Sequence, residues 1–407
     1  MDEKTAKFLR GLFSRFYASR GPVPPPDIER REFAFMIFGE KMVIRHKAFT
    51  SYEELVKFMA ELGPSDAFYS SAYFERPGAP DMRSKGWLGA DLIFDIDADH
   101  IPTSCKAEHD LWACRSCGRS GRGEAPEKCP NCGSTGLLEL KWICKRCLTA
   151  AKDELIRLIE VLENELGVEE AIRPSFSGHR GFHLQVSQRS FLELGQDERR
   201  EIVDYLLGIG LDPELLGLKP GARLSISEPG WRGRLARGLY SFLLRADEEE
   251  LKTLGLRKRA ITALLTAREA LLDCLEHGKP LALPRGVGKA SLRKLVEACS
   301  KREAVKIDPV VTCDVHRLVR MSGSLHGKTG LLKLDIPLER LEEFDPFSEA
   351  VAFKKGSIKV RLTTDFPLIP SLKLEDTKFG PFEPGEIVEL PLPAAIFLIC
   401  KGVASLC

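Results

Sequence analysis

The sequence predicts an α/β (α+β) protein: a mixed-sheet core, interrupted by a cysteine-bearing module and accompanied by a mainly helical subdomain. Three observations predict it. Residues 90–99, ADLIFDIDAD, alternate with a period of two, the pattern of a strand with one apolar face. Six of the twelve cysteines stand in three Cys-x-x-Cys pairs between residues 114 and 147. Helical periodicity dominates residues 189–300, and strand and helix signals alternate again from Ile307.

Taken in order, residues 3–19 predict an amphipathic helix with Phe8, Leu9, Leu12, Phe13 and Phe16 on one side. Gly21 and the prolines at 22, 24, 25 and 26 stop it. Strands are expected at 32–38 and 41–46 around a Gly39-Glu40 turn. A helix follows at 51–62, with Ser51 as N-cap and Glu54 completing a capping box. Strands at 69–75 and 91–97 suggest a βαβ-like alternation. Residues 78–86 are a candidate mobile loop beside the acidic strand. A long helix is expected at 149–166, helices at 200–207, 247–254, 257–276 and 291–300, a helix-like run at 314–321, and strands through 351–393. The sequence shows no internal repeat and no low-complexity segment.

At 43% hydrophobic and 29% charged residues, the composition is that of a soluble globular chain of two or three domains. Lys+Arg 60 against Asp+Glu 59 gives no overall basic field, so a nucleic-acid partner has to be sought in local clusters. The charged start MDEKTAKFLR does not read as a signal peptide. The apolar run 390–399 is short and carries Pro391 and Pro393, so no membrane span is expected. Paired cysteines in a chain this long point to metal in a reducing compartment rather than to disulfides.

On the acidic strand, Leu92, Phe94, Ile96 and Ala98 share one face. Asp91, Ile93, Asp95, Asp97 and Asp99 share the other. Carboxylates two residues apart repel, and burial sharpens the repulsion; a hard divalent cation relieves it. A solvated edge strand explains the same pattern.

Cys114-x-x-Cys117 and Cys129-x-x-Cys132, each followed by glycine, form a zinc-ribbon pattern. The third pair, Cys144 and Cys147, has Cys105 and His109 as its nearest unused ligands. It could instead exchange with a ribbon knuckle or stay free. Ser177-Gly178-His179-Arg180-Gly181 is a donor-rich turn suited to a triphosphate, or simply a polar hairpin end. Residues 219–245 gather Lys219, Arg223, Arg232, Arg234, Arg237 and Arg245 with Trp231 and Tyr240 interleaved. This is a nucleic-acid track or a solvated face. Residues 284–297, PRGVGKASLRKLVE, resemble half of a helix-hairpin-helix element as much as an ordinary helix-to-helix turn.

FDID at 94–97, SGHRGFH at 177–183 and the Asp308 segment ending in SLHGKTG at 324–330 occur in that order. The ordered set resembles the small, catalytic subunit of archaeal and eukaryotic DNA primase, over most of the chain from residue 31 to Gly330. ICKRCLTAAK at 143–152 makes the archaeal version the better match. The resemblance implies a primase-type catalytic core in which Asp95 and Asp97 are paired ligands for Mg²⁺ or Mn²⁺ and Asp308 is the third catalytic carboxylate. Ser177, Arg180 and His183 match the triphosphate turn, and His179 stands where arginine is frequent. Arg45, Arg320 and His326 match nucleotide contacts, with arginine at 320 where eukaryotic members carry lysine. Cys105, His109, Cys144 and Cys147 match a zinc knuckle, inside which this chain inserts the ribbon at 111–142.

The implied organisation is core at 1–104, zinc module at 105–147, core at 148–190, helical subdomain at 191–302 and core at 303–407. The implied activity is DNA-templated primer synthesis by a two-metal nucleotidyl transfer, with ions about 3.5–4 Å apart. Implied partners are a large primase subunit, single-stranded DNA template, nucleoside triphosphates and the replication machinery, in an archaeal cytoplasm. The alternatives are a related polymerase that extends ends or bypasses lesions, and a non-catalytic zinc-ribbon subunit that binds nucleic acid.

Overall fold

The structure, a computed structural model, describes residues 1–212, 214, 216–217, 221–281 and 283–407. The chain divides into two compact units. The first comprises Met1–Leu155, Glu170–Gln196 and Asp308–Cys407; the second comprises Ile156–Glu169 and Asp197–Ile307. The helix Lys145–Leu166 therefore contributes residues to both.

Two four-stranded sheets position the site in the first unit. Their strands are numbered here in chain order: β1 Phe33–Met36, β2 Ile44–Lys47, β3 Asp66–Ser70, β4 Leu92–Asp97, β5 Ile172–Phe176, β6 Gly181–Val186, β7 Leu318–Arg320 and β8 Leu334–Asp335. One sheet has the order β7-β3-β1-β2, the other β8-β5-β6-β4. All named pairings are antiparallel, so the expected mixed sheet and βαβ alternation are not what forms. The cause is local. Seven residues join β1 to β2 and four join β5 to β6, and links that short return the chain antiparallel. The apolar side of β4 is buried as its period requires, with Leu92, Phe94 and Ile96 fully covered.

Other expectations are corrected by neighbouring packing. Residues 318–320 of the expected helix-like run 314–321 form β7, paired with β3. The expected helix 257–276 is two, Lys258–Thr266 and Arg268–His277, broken at Ala267. The capping box forms with a shift of one residue: Ser51 Oγ accepts from Glu54 N, while Glu54 accepts from the N–H of Thr50 at 2.9 Å. The 78–86 loop is anchored by Lys85, whose buried Nζ lies 3.5 Å from Glu32.

The second unit is helical around an apolar core that includes Leu235, Phe242, Leu264, Leu275 and Leu295. Lys219 of the basic track lies outside the described residues. Trp231 is not a stacking platform. It is buried, donates Nε1–H to Tyr205 O at 2.7 Å, and carries Arg234 over its ring. Arg232 and Arg237 are spent on carbonyls of the preceding segment, at Arg223 and Ile226. Among the described residues, no helix is long and apolar enough to cross a membrane.

Candidate active site and metal centres

A cavity of about 210 Å³ opens between the two sheets of the first unit. β4 supplies Asp95 and Asp97, whose alternation aims both away from the buried side. Burial, then the charges of Asp97 and Asp308, push the Asp95 carboxyl up to about 7. Burial also raises Asp97. Asp308 approaches through the backbone: its N–H donates to Asp95 O at 2.9 Å, and its side chain caps the helix Pro309–Cys313. Closely set, desolvated carboxylates suit a divalent cation, since hard oxygen donors and unrelieved negative charge are what such an ion takes.

The β5–β6 hairpin continues the same wall, since β6 pairs directly with β4, and Phe68 and Arg320 of the other sheet face it. Register places His183 opposite Asp95, with Nε2 3.5 Å from Oδ1. Ser177 Oγ accepts from the N–H groups of His179 and Gly181 and closes the turn. Gly181 is obligatory there, because a Cβ would sit 2.1 Å from Ile96 O. Arg180 is buried. Its Nη2 lies 2.5 Å from Asp99 Oδ1, and its Nε and Nη1 have no hydrogen-bond partner among the described residues. Arg320 enters from β7 and is held by Asp66 at 2.5 Å. The His179 and His326 rings stack at 4.9 Å. Burial keeps both histidines neutral and lowers His183 to about 3. Three arginines, 180, 317 and 320, and three neutral imidazoles therefore line one cavity with two carboxylates.

Two ligand clusters form within residues 105–147. Cys105, His109, Cys144 and Cys147 bring one ligand atom each to within 4.8 Å of one another, and so do Cys114, Cys117, Cys129 and Cys132. The pairing left open by the sequence resolves into these two separate sets. Four sulfur and nitrogen donors so gathered fit a tetrahedral metal. In the first set His109 Nε2 faces Cys147 Sγ at 3.3 Å while Nδ1 meets Asp110 Oδ1 at 2.8 Å. That arrangement fixes a metal-binding tautomer.

Comparison with known proteins decides the family. A family model described as DNA primase small subunit matches residues 134–339. The DNA primase small subunit PriS of Cenarchaeum symbiosum is 35% identical, with both chains covered completely. That of Pyrobaculum islandicum is 36% identical over 97% of this chain and 98% of its own. This chain belongs to the DNA primase small subunit family. The non-catalytic alternative falls with that result, because the primase small subunit is the subunit that synthesises primers.

Of the expected nucleotide contacts, Ser177, His179, Arg180, His183, Arg320 and His326 line the cavity of this primase subunit with Asp95 and Asp97. Arg45 does not. It lies on β2, at the far edge of its sheet from Arg320, and pairs with Glu32 at 3.0 Å. Asp91, on the acidic face by register, is withdrawn into a buried pair with Arg31 at 2.7 Å. Sequence reasoning missed Arg317, which lines the cavity, and Lys401, whose Nζ is 3.4 Å from His179 Nε2. Burial, reinforced by Arg180, lowers Lys401 to about 7. The two arginines of HRLVR at 316–320 were a visible signal for Arg317; nothing local marked Lys401. Asp110 was missed as well. It touches His109 with one oxygen and lies 3.8 Å from Arg180 with the other.

Proposed function

We propose that this cavity is where the chain, as the catalytic subunit of DNA primase, joins nucleotides into primers that initiate DNA replication. The observation that carries the assignment is Arg180: buried, with two nitrogens that have no hydrogen-bond partner among the described residues, lining the same cavity as Asp95 and Asp97. A buried guanidinium with free donors is costly unless an anion completes it. An incoming triphosphate is that anion.

Arg180 and Arg320 hold the triphosphate, and the Ser177–Gly181 turn orients it. Asp99 and Asp66 fix the two guanidiniums before the substrate arrives, so little reorganisation remains at the reaction. The neutral His179, His183 and His326 offer ring N–H donors without adding buried charge. Asp95, Asp97 and Asp308 would hold Mg²⁺ or Mn²⁺. When bound, a pair of such ions supplies activation of the attacking 3′-hydroxyl and neutralisation of the pyrophosphate leaving group. Cys105, His109, Cys144 and Cys147 would hold one Zn²⁺ and the ribbon cysteines a second, both structural. On this reading residues 105–147 are an inserted metal module. The working assembly adds a large primase subunit, single-stranded template and nucleoside triphosphates, in the cytoplasm.

The test is synthesis on unprimed single-stranded DNA with labelled nucleotides, wild type beside Asp95→Ala/Asp97→Ala. New chains from wild type and none from the variant are expected. Extension of added primers alone would replace priming by end extension. Near-normal incorporation by Asp97→Asn would remove the carboxylates from the mechanism.

A further inference from the structure

The second unit contains a duplication that the sequence hides. With an offset of 31 residues, Gly255-Leu256-Arg257-Lys258 corresponds to Gly286-Val287-Gly288-Lys289. The correspondence holds structurally. Both glycines have positive φ, +66° and +112°. Leu256 and Val287 are each 8% exposed and enter the same apolar core. The next residue in each copy, Arg257 or Gly288, caps a helix, Lys258–Thr266 or Lys289–Glu303, with the lysine as its first residue. Leu264 and Leu295, again 31 apart, are buried together. The elements before the turns differ, the helix Glu248–Thr253 preceding the first while Pro280 bridges to Arg223 before the second, and the second of the following helices is the longer, 15 residues against 9.

The two copies pack reciprocally. Lys294, on the helix after the second turn, donates to Gly255 O of the first turn at 2.6 Å. A side chain at Gly286, in the second turn, would meet Arg259, on the helix after the first turn, at 3.2 Å. In the repeat frame these contacts fall one helical turn apart. Both turns therefore belong to one surface. Arg257, Lys258, Arg259, Arg285, Lys289, Arg293 and Lys294 are all exposed on it. Neither 254–260 nor 284–290 contains an acidic residue. Lys289 and Arg293 reach the exposed Glu214 and Asp212, contacts that solvent makes weak. Among the described residues, Arg257, Lys258 and Arg285 enter no ion pair.

We propose that these paired glycine turns form a docking surface for the backbone of duplex nucleic acid, separate from the catalytic cavity. Unpaired cations on turns that carry no carboxylate of their own fit phosphates, whose contacts are independent of base sequence. The duplication selects the duplex. Two antiparallel backbones are related by a local two-fold axis, and the reciprocally packed turns offer each of them a glycine turn with a lysine at the same repeat position, Lys258 or Lys289. A single strand has one backbone and would use one turn. The surface would therefore hold a template–primer hybrid rather than bare template. Nothing in this inference depends on which residues of the cavity are catalytic.

The test uses the full chain and the variant Arg257→Glu/Lys258→Glu/Arg285→Glu. Binding to a labelled 20-base-pair DNA duplex and to a 20-nucleotide single strand is measured by anisotropy across a salt series. The expected result is at least a tenfold loss of duplex affinity, with the salt slope lowered by about 2–3 as three phosphate contacts disappear. Single-strand affinity and dinucleotide synthesis should stay within twofold. Duplex affinity within twofold of wild type overturns the proposal, and so does equal loss for both ligands. If the variant fails to fold, hydrogen exchange on the wild-type protein decides. Added duplex should protect amides at both 255–259 and 286–291, and protection at neither turn, or at one alone, overturns it.

Discussion

The two cysteine clusters have the same number of ligands and different surroundings. In the knuckle of Cys105, His109, Cys144 and Cys147, three ligands are buried. In the ribbon, Cys117 and Cys132 are exposed. The knuckle has a second layer. Asp110 receives the N–H of Trp142, meets His109, and lies 3.8 Å from Arg180. The ribbon closes on short Sγ contacts, Cys114 to Cys132 and Cys117 to Cys129 at 3.6 Å, and on turns whose glycines donate back to Cys114 and Cys129. A metal in the ribbon would therefore organise the ribbon. A metal in the knuckle would also set the position of a guanidinium assigned to the triphosphate.

The largest expected difference between the clusters comes from removing a ligand of each. Cys147→Ser should lose the knuckle metal and lower primer synthesis at least about 100-fold, since a half-ligated structural site destabilises everything ordered around it. Zinc content and synthesis measured on the same preparation check this. A variant one zinc short with normal synthesis would dissolve the distinction.

Asp110→Asn probes the link itself. Loss of the carboxylate that orients His109 should cost about 10–100-fold in knuckle metal affinity, read by competition with a chelator. With metal held saturating, the KM for nucleoside triphosphate should still rise about tenfold while kcat stays within threefold, because Asp110 also faces Arg180. A change in metal affinity alone would confine Asp110 to the knuckle.

How much of this was legible in the sequence follows from the range of each interaction. The alternation that buries Phe94 in the core and turns Asp95 to the other face is local, and so are the Ser177–Gly181 turn and the cysteine spacing. All three were readable. That Asp91 belongs to Arg31 rather than to the acidic site depends on a partner 60 positions away. Arg45 matched a family motif, yet the β7-β3-β1-β2 order puts it at the opposite sheet edge from Arg320. Lys401 gains its surroundings only when the C-terminal helix Leu392–Cys400 brings it beside His179. The 31-residue repeat keeps glycine, a buried aliphatic residue and lysine but little else, too few identities to be seen without the packing.

The acidic cavity sharpens the comparison from a third side, because its carboxylates lack the close set of partners that the knuckle has. Asp95 titrates near 7 in the folded chain, against 3.8 for an ordinary aspartate. Between those values the folded state holds the extra proton, so the stability of the metal-free protein falls as pH rises from 4 to 7. Asp95→Asn removes the repulsion. It should raise the melting temperature at pH 8 by about 2–4 °C while abolishing synthesis. Mn²⁺ should stabilise wild type at pH 8 and leave the variant nearly unmoved. Equal stabilisation of both by Mn²⁺ would place the ion elsewhere.

The smallest expected effect belongs to the ribbon. Cys132 is exposed, and the ribbon cysteines meet one another, Cys114 with Cys132 and Cys117 with Cys129. Cys132→Ser should therefore release one zinc per chain, expose the 114–132 segment to proteolysis, and leave dinucleotide synthesis within about twofold. Mass spectrometry of the native protein counts the metal, and limited proteolysis locates the opened segment. The informative reading is the ratio of this variant's synthesis to that of Cys147→Ser. A ratio above about 50 means the two clusters differ as their surroundings do, one built into the triphosphate wall and one folded for itself. A ratio near one means that the ribbon reaches the reaction through the substrate, for example by holding the template. In that case the 3.8 Å approach of Asp110 to Arg180 is not what couples metal to chemistry.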